Sequence, residues 1–146
     1  MKTYSNFLTE LFDKPLPYRL SHSIEDQSEV YEFSTPKGQH FEVSIIADRQ
    51  GSYEFTFDSD SNEEGTKSGK GEEFQVFSTV LKILKEFVDA EEPDHFFIEA
   101  VSSEPSRVRL YRRMISIFCK RYPQYGAAEK KTNSGFVRWD VKVKPQ

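Results

Sequence analysis

Cysteine occurs once in the 146 residues, at Cys119, which excludes an internal disulfide framework and any paired-cysteine metal site. The thiol falls beside Phe118 in an apolar setting. That reads as a buried, unreactive group and fits a reducing compartment. No apolar run approaches the roughly 20 residues that a membrane-crossing helix needs. The opening MKTYSNFLTELFD has no continuous apolar stretch and carries Glu10 and Asp13, so it does not read as a signal peptide. The expectation is a soluble, cytoplasmic protein. Histidine is also scarce: His22, His40 and His95 show no ligand spacing along the chain, and no metal site is expected. No Ser/His/Asp or Cys/His pattern for nucleophilic catalysis stands out.

Aromatic side chains are abundant. Thirteen Phe, seven Tyr and one Trp supply enough apolar area for one core, and the length suits a single domain over residues 1–146. Charge is unevenly spread. From Pro105 onward eleven Lys/Arg face two Asp/Glu, a balance of +9, whereas residues 1–104 hold nine Lys/Arg against twenty-two Asp/Glu, a balance of −13. Two surfaces of opposite potential result if the fold keeps these segments apart; otherwise the halves neutralise each other.

Tyr4, Phe7, Leu8, Leu11 and Phe12 recur at helical spacing and predict an amphipathic helix over residues 2–13, stopped by Pro15 and Pro17. Strands are predicted from Tyr18 to Ile24, Glu29 to Ser34, His40 to Ala47 and Ser52 to Asp58. Thr35-Pro36-Lys37-Gly38 and Arg49-Gln50-Gly51 supply turns, so the last three of these segments read as an antiparallel meander. Asp58 to Gly71, DSDSNEEGTKSGKG, is a polar loop. A helix follows from Glu72 to about Ala90, with Phe74, Phe77, Leu81, Leu84 and Val88 in a stripe suited to packing on a sheet. His95 to Val101 reads as a buried strand, Ser102 and Ser103 as N-caps, and Pro105 as the first residue of a helix running to about Lys120. Pro123 and Gly126 bound its exit. Ala127 to Val143 reads as a hairpin turning at Thr132-Asn133-Ser134-Gly135.

The order of elements over roughly residues 28–143, and the strand that feeds directly into a helix bearing Leu110-Tyr111, resemble the GNAT (GCN5-related N-acetyltransferase) superfamily. The segments GKGEEFQVFSTVLKILKEF and SEPSRVRLYRRM make the chain look like the small GNAT-like proteins encoded by bacteriophages. The resemblance implies an α+β fold: a central, mostly antiparallel sheet of about six to seven strands with helices on both faces. It implies an acyl-CoA-dependent N-acyltransferase with acetyl-CoA as donor and a small-molecule or protein amine as acceptor. A host-cytoplasmic or virion location would go with a phage origin. One departure is clear. The family usually carries two helices between its first two strands, and here a single helix precedes every strand.

In the family a glycine-containing loop before the central helix holds the acyl-CoA pyrophosphate. Glycines let the backbone approach closely, and helix N-terminal amides grip the anion. Thr66, Lys67, Gly69, Lys70 and Gly71 match that place, with Thr66 where Gln or Arg is usual. The same residues also read as a surface loop with an acidic cap, since Glu72 and Glu73 satisfy the helix dipole and repel an anion. Tyr111 matches the family tyrosine that protonates the departing thiolate, because a phenol's acidity lies near a thiol's. Its alternative is a core aromatic. The family's usual context differs at Glu104 and Arg107. Glu54 and Glu99, each in a strand among apolar neighbours, are candidate general bases or solvated-face carboxylates. The basic helix Arg107–Arg121 is a candidate surface for a protein partner, and the overall acidity disfavours nucleic acid. The counter-hypothesis to an enzyme is a catalytically inactive GNAT-fold protein that serves as a binding or virion-associated component.

Overall fold

The computed structural model describes residues 15–24, 28–48, 51–59 and 72–145. Seven strands form one sheet: β1 (Arg19–Ile24), β2 (Ser28–Ser34), β3 (His40–Ala47), β4 (Tyr53–Ser59), β5 (His95–Val101), β6 (Tyr125–Lys131) and β7 (Phe136–Val143). Helix α1 (Glu72–Glu91) links β4 to β5, and α2 (Pro105–Arg121) links β5 to β6. The strand order is β1-β2-β3-β4-β5-β7-β6. All neighbours are antiparallel except β4 and β5, which the α1 crossover makes parallel. The predicted helix over 2–13, the Arg49-Gln50 turn and residues 60–71 of the predicted Asp58–Gly71 loop lie outside the described residues, while Asp58 and Ser59 belong to β4.

Alternation along each strand sets the two faces. Phe41, Val43, Ile45, Phe55, Phe57, Phe96, Ile98, Val137, Trp139 and Val141 are buried on one face. Val76, Val80, Leu81, Leu84 and Val88 of α1 and Val108, Tyr111, Met114, Ile115 and Phe118 of α2 close over it. Phe96 shows how the layers meet: its ring touches Phe87 of α1, Phe118 of α2 and Tyr125 of β6. Both described helices therefore pack on the same face. Thr79 of α1 ties down the entering chain, accepting the Leu16 N–H at 2.7 Å while donating to the Gln75 carbonyl at 2.7 Å.

Local details depart from expectation in two places. The α2 N-cap is Glu104, whose side chain makes no capping bond. Ser102 instead donates to the Gly135 carbonyl at 2.8 Å, tying the β5 exit to the β6–β7 turn. Gly126 does not end a helix; it lies inside β6, opposite Lys142. Tyr125 can enter a strand so soon because Pro123 stops the helical register and the Tyr125 hydroxyl donates to the Pro93 carbonyl. The two glycine turns behave as predicted. Gly38 and Gly135 take φ of 86° and 84°, the left-handed region that glycine enters without a Cβ penalty. Only residues 25–27 separate β1 from β2.

The sheet order also separates charge. Residues 19–59 form one half of the sheet and residues 95–143 the other. Within the basic half, Arg112 donates two 2.8 Å hydrogen bonds to Glu129, so the helix-borne cations are partly answered by their own fold.

Candidate active site at a fork in the sheet

β3 and β4 pair at seven positions, and so do β5 and β7. Between them, β4 and β5 pair at only two: Tyr53 with Phe96, and Glu54 with Phe97. Beyond that fork Phe55–Ser59 and Ile98–Val101 diverge, each held by its outer neighbour. Two parallel strands this long normally continue their ladder. Here the inner backbone edges face a wedge-shaped gap, and backbone donors and acceptors need partners.

Both helices begin at the open end of this wedge. α1 runs back against β4, since Phe77 near its start touches Phe57 at 5.7 Å between ring centroids and Phe87 near its end touches Tyr53 at 4.9 Å. α2 runs back against β5, with Phe118 near its end over Phe96 at 5.5 Å. The first turns of both helices therefore lie on the side where the strands part.

Tyr111 bridges the divergence. Its ring contacts Phe57 on β4 at 5.6 Å, Trp139 on β7 at 6.0 Å and Phe77 on α1 at 6.5 Å. The residue is only 3% exposed. Burial pushes the phenol well above its ordinary value; the Arg107 cation opposes this, and Asp58 and Glu104 add to it. The near balance with a thiol expected for an ordinary phenol is therefore not kept, because desolvation penalises the phenolate. Arg107 lies 5.7 Å over the Phe57 ring and 3.6 Å from Glu104. One Glu104 carboxylate oxygen is buried without a hydrogen-bond partner.

The opposite face of the fork carries Glu54 and Glu99. Glu54 stands opposite Phe97, and Glu99 opposite Arg138. Burial, then the charge of Glu99, raises the Glu54 carboxyl above its usual range, and Arg138 partly offsets this. Sheet pairing thus brings both candidate bases beside one gap. Thr66, Lys67, Gly69, Lys70 and Gly71 lie outside the described residues; their place in the chain is the link between β4 and α1. Cys119 is half-buried, and burial raises its thiol, in keeping with an unreactive group.

The closed end of the fork holds a network that the sequence did not reveal. Ser52 lies 2.7 Å from His95 Nδ1, and His95 Nε2 lies 2.8 Å from Asp140. Arg138 donates to the same Asp140 oxygen at 2.9 and 3.1 Å and stacks 3.8 Å over Phe97. Burial raises the Asp140 carboxyl, but the hydrogen bonds from Arg138 and His95 outweigh it and hold the group below its ordinary value. These side chains clamp the start of β4 to β5 and β7 where the backbone ladder is shortest. Their sequence separations of 43 and 45 residues gave no signal.

By sequence, residues 17–139 match a family described as a family of unknown function, DUF6934. No curated protein matches. Among solved structures the chain is similar to a mutant of spermidine N-acetyltransferase SpeG from Vibrio cholerae, with a TM-score of 0.53 and 11% identity over 81% of this chain and 67% of that one. It is similar to a Bacillus subtilis acetyltransferase in complex with CoA, with a TM-score of 0.52 and 13% identity over 88% and 99% of the two chains. It is also similar to the Campylobacter jejuni N-acetyltransferase PseH, at 0.50 and 11% over 82% and 71%. At these identities the likeness establishes the fold alone. The chain belongs to the DUF6934 family, and its fold is that of the GNAT acetyltransferases.

Proposed function

We propose that this protein is an acyl-CoA-dependent N-acyltransferase. The observation that carries the reading is the two-position pairing of β4 with β5, which leaves a wedge open toward the starts of α1 and α2. A pantetheine arm is narrow and carries two amides. It fits between diverging strands whose inner edges present backbone donors and acceptors. The proposal assigns the pyrophosphate to Gly69, Lys70 and Gly71, with Thr66 and Lys67 flanking it, on their position immediately before α1.

In the reaction an amine nitrogen attacks the thioester carbonyl carbon. A C–N bond forms, the C–S bond breaks, and the amine proton leaves. Glu54 is the favoured base, because its environment raises its proton affinity; Glu99 acts on it through charge. Tyr111 stays protonated and serves the departing sulfur as a hydrogen-bond donor; the coenzyme leaves as a thiolate, and the amine proton passes to Glu54. The acceptor amine is a small molecule or a protein. A phage origin, with host cytoplasm or virion as its place of action, belongs to the same proposal and rests on sequence resemblance.

One observation favours a second reading, a GNAT-fold binding protein without catalysis. Tyr111 is wedged among three rings and buried as core residues are. Calorimetry with acetyl-CoA separates the two. Saturable binding, with acetyl transfer to an amine panel that Tyr111→Phe abolishes, supports the enzyme. Absence of binding at millimolar acetyl-CoA ends that proposal.

A further inference from the structure

His40 and Glu42 are close along the chain, and the β2–β3 register brings the more distant Glu32 to them. Glu32 pairs with Glu42, and Ser34 pairs with His40. His40 and Glu42, two residues apart on one strand, share a face. One ligand atom from each of the three residues lies within 4.8 Å of the others. We propose that these three side chains bind one divalent transition-metal ion of the zinc class.

The atoms are already apportioned. The Arg19 guanidinium engages Glu32 Oε1. The other oxygen, Oε2, lies 3.6 Å from His40 Nε2. Ser34 Oγ is 3.3 Å from His40 Nδ1, the place for an outer hydrogen bond that orients the ring and leaves Nε2 toward the carboxylates. Ligand atoms around a tetrahedral zinc with bonds of about 2.1 Å stand roughly 3.4 Å apart, so closing the site takes about 1 Å of side-chain adjustment on a paired, rigid sheet. The Glu32 side chain is 15% exposed and that of His40 30%, while Glu42 is the most exposed of the three, so the ion would sit at the surface with two of its ligands partly desolvated.

Charge supplies a second argument. Glu42 also pairs with Asp58 on β4, which sets three carboxylates abreast: Glu32, Glu42 and Asp58. Like charges directly opposite across strands destabilise a sheet, and a bound dication reverses the sign of that interaction. The imidazole nitrogen selects against magnesium and calcium, which prefer all-oxygen shells, and favours zinc, copper or nickel. The inference uses the register of β2, β3 and β4 and does not depend on acyl transfer.

The test uses untagged, metal-stripped full-length protein titrated with ZnCl2 by calorimetry. One saturable equivalent is expected. His40→Ala and Glu42→Gln should each weaken it at least tenfold, Cys119→Ser should leave it unchanged, and excess MgCl2 should not compete. Glu42→Gln is nearly isosteric and keeps the test valid should His40→Ala unfold. Cobalt(II) should add a visible absorption band that Glu42→Gln removes. Absence of one-to-one binding, equal affinity in both variants, loss on Cys119→Ser, or displacement by magnesium would each overturn the proposal.

Discussion

Replacing Tyr111 by Phe removes one oxygen from the most constrained position beside the fork. The ring contacts with Phe57, Phe77 and Trp139 survive, so packing should change little. What changes is proton linkage. The folded phenol is held well above its unfolded value, because burial excludes the phenolate. A group whose folded pKa is raised contributes stability that is fully present below the unfolded value, about pH 10 for tyrosine. That contribution is lost as pH climbs toward the folded value. Between the two, the unfolded chain releases a proton that the folded chain keeps, and stability falls by about 1.4 kcal/mol per pH unit for this one group. Tyr18, Tyr31 and Tyr122 are also raised, Tyr122 to about 12, so the wild type carries several such contributions. The difference between wild type and Tyr111→Phe isolates one of them. Urea unfolding at pH 8, 9, 10 and 11 should give nearly parallel stabilities up to pH 9. Above pH 10 the wild type should lose about 1.4 kcal/mol more per unit than the variant. Equal slopes would show that the hydroxyl ionises freely in the fold, and the burial argument would be wrong. In acyl transfer, the same variant should lose about 10²-fold or more in kcat with acetyl-CoA affinity retained, the usual scale for a lost hydrogen-bond donor to developing charge.

Three further outcomes follow from the packing and the hydrogen bonds. Phe96→Ala empties a fully buried site shared by both helices and β6, and should cost about 3–5 kcal/mol in chemical denaturation; under 1 kcal/mol would mean that the layers do not meet there. Gly135→Ala meets no atom within 4 Å but holds φ at 84°, so a loss of about 1 kcal/mol is expected from backbone strain alone. Asp140→Asn should destabilise the protein by about 2 kcal/mol at pH 7, since it weakens charged hydrogen bonds from Arg138 and His95. The folded Asp140 carboxyl titrates below its unfolded value, so this difference is present above about pH 4 and should shrink as the medium is acidified further.

Much of the fold was legible in short segments. Phe41-Val43-Ile45 and Tyr53-Phe55-Phe57 alternate, and their side chains do share the helix-covered face. The stripe of α1 is buried from Phe77 to Val88, with Phe74 partly buried, and Pro105 opens α2 as a first-turn proline should. The site was less legible. Tyr111, Glu54 and Glu99 were singled out; strand register sets Glu54 and Glu99 by the fork, but Tyr111's position, its burial and the effect on the phenol depend on Phe57, Phe77 and Trp139 from three other elements. Ser102 looked like a cap and turned out to hold a hairpin, because a hydroxyl takes whichever backbone partner the fold brings near.

By itself the sequence determined which segments are strands and helices and which face of each is apolar, because periods of 2 and 3.6 are written along the chain and need no distant partner. Tertiary structure alone decided that β7 lies between β5 and β6, that β4 and β5 part after two pairs, and that Ser52 meets His95 and Asp140 while Glu32 meets His40 and Glu42. Those outcomes are set by cross-strand register and by how two helices seat on a twisted sheet. Register is a relation between segments, fixed only when their apolar faces are buried together.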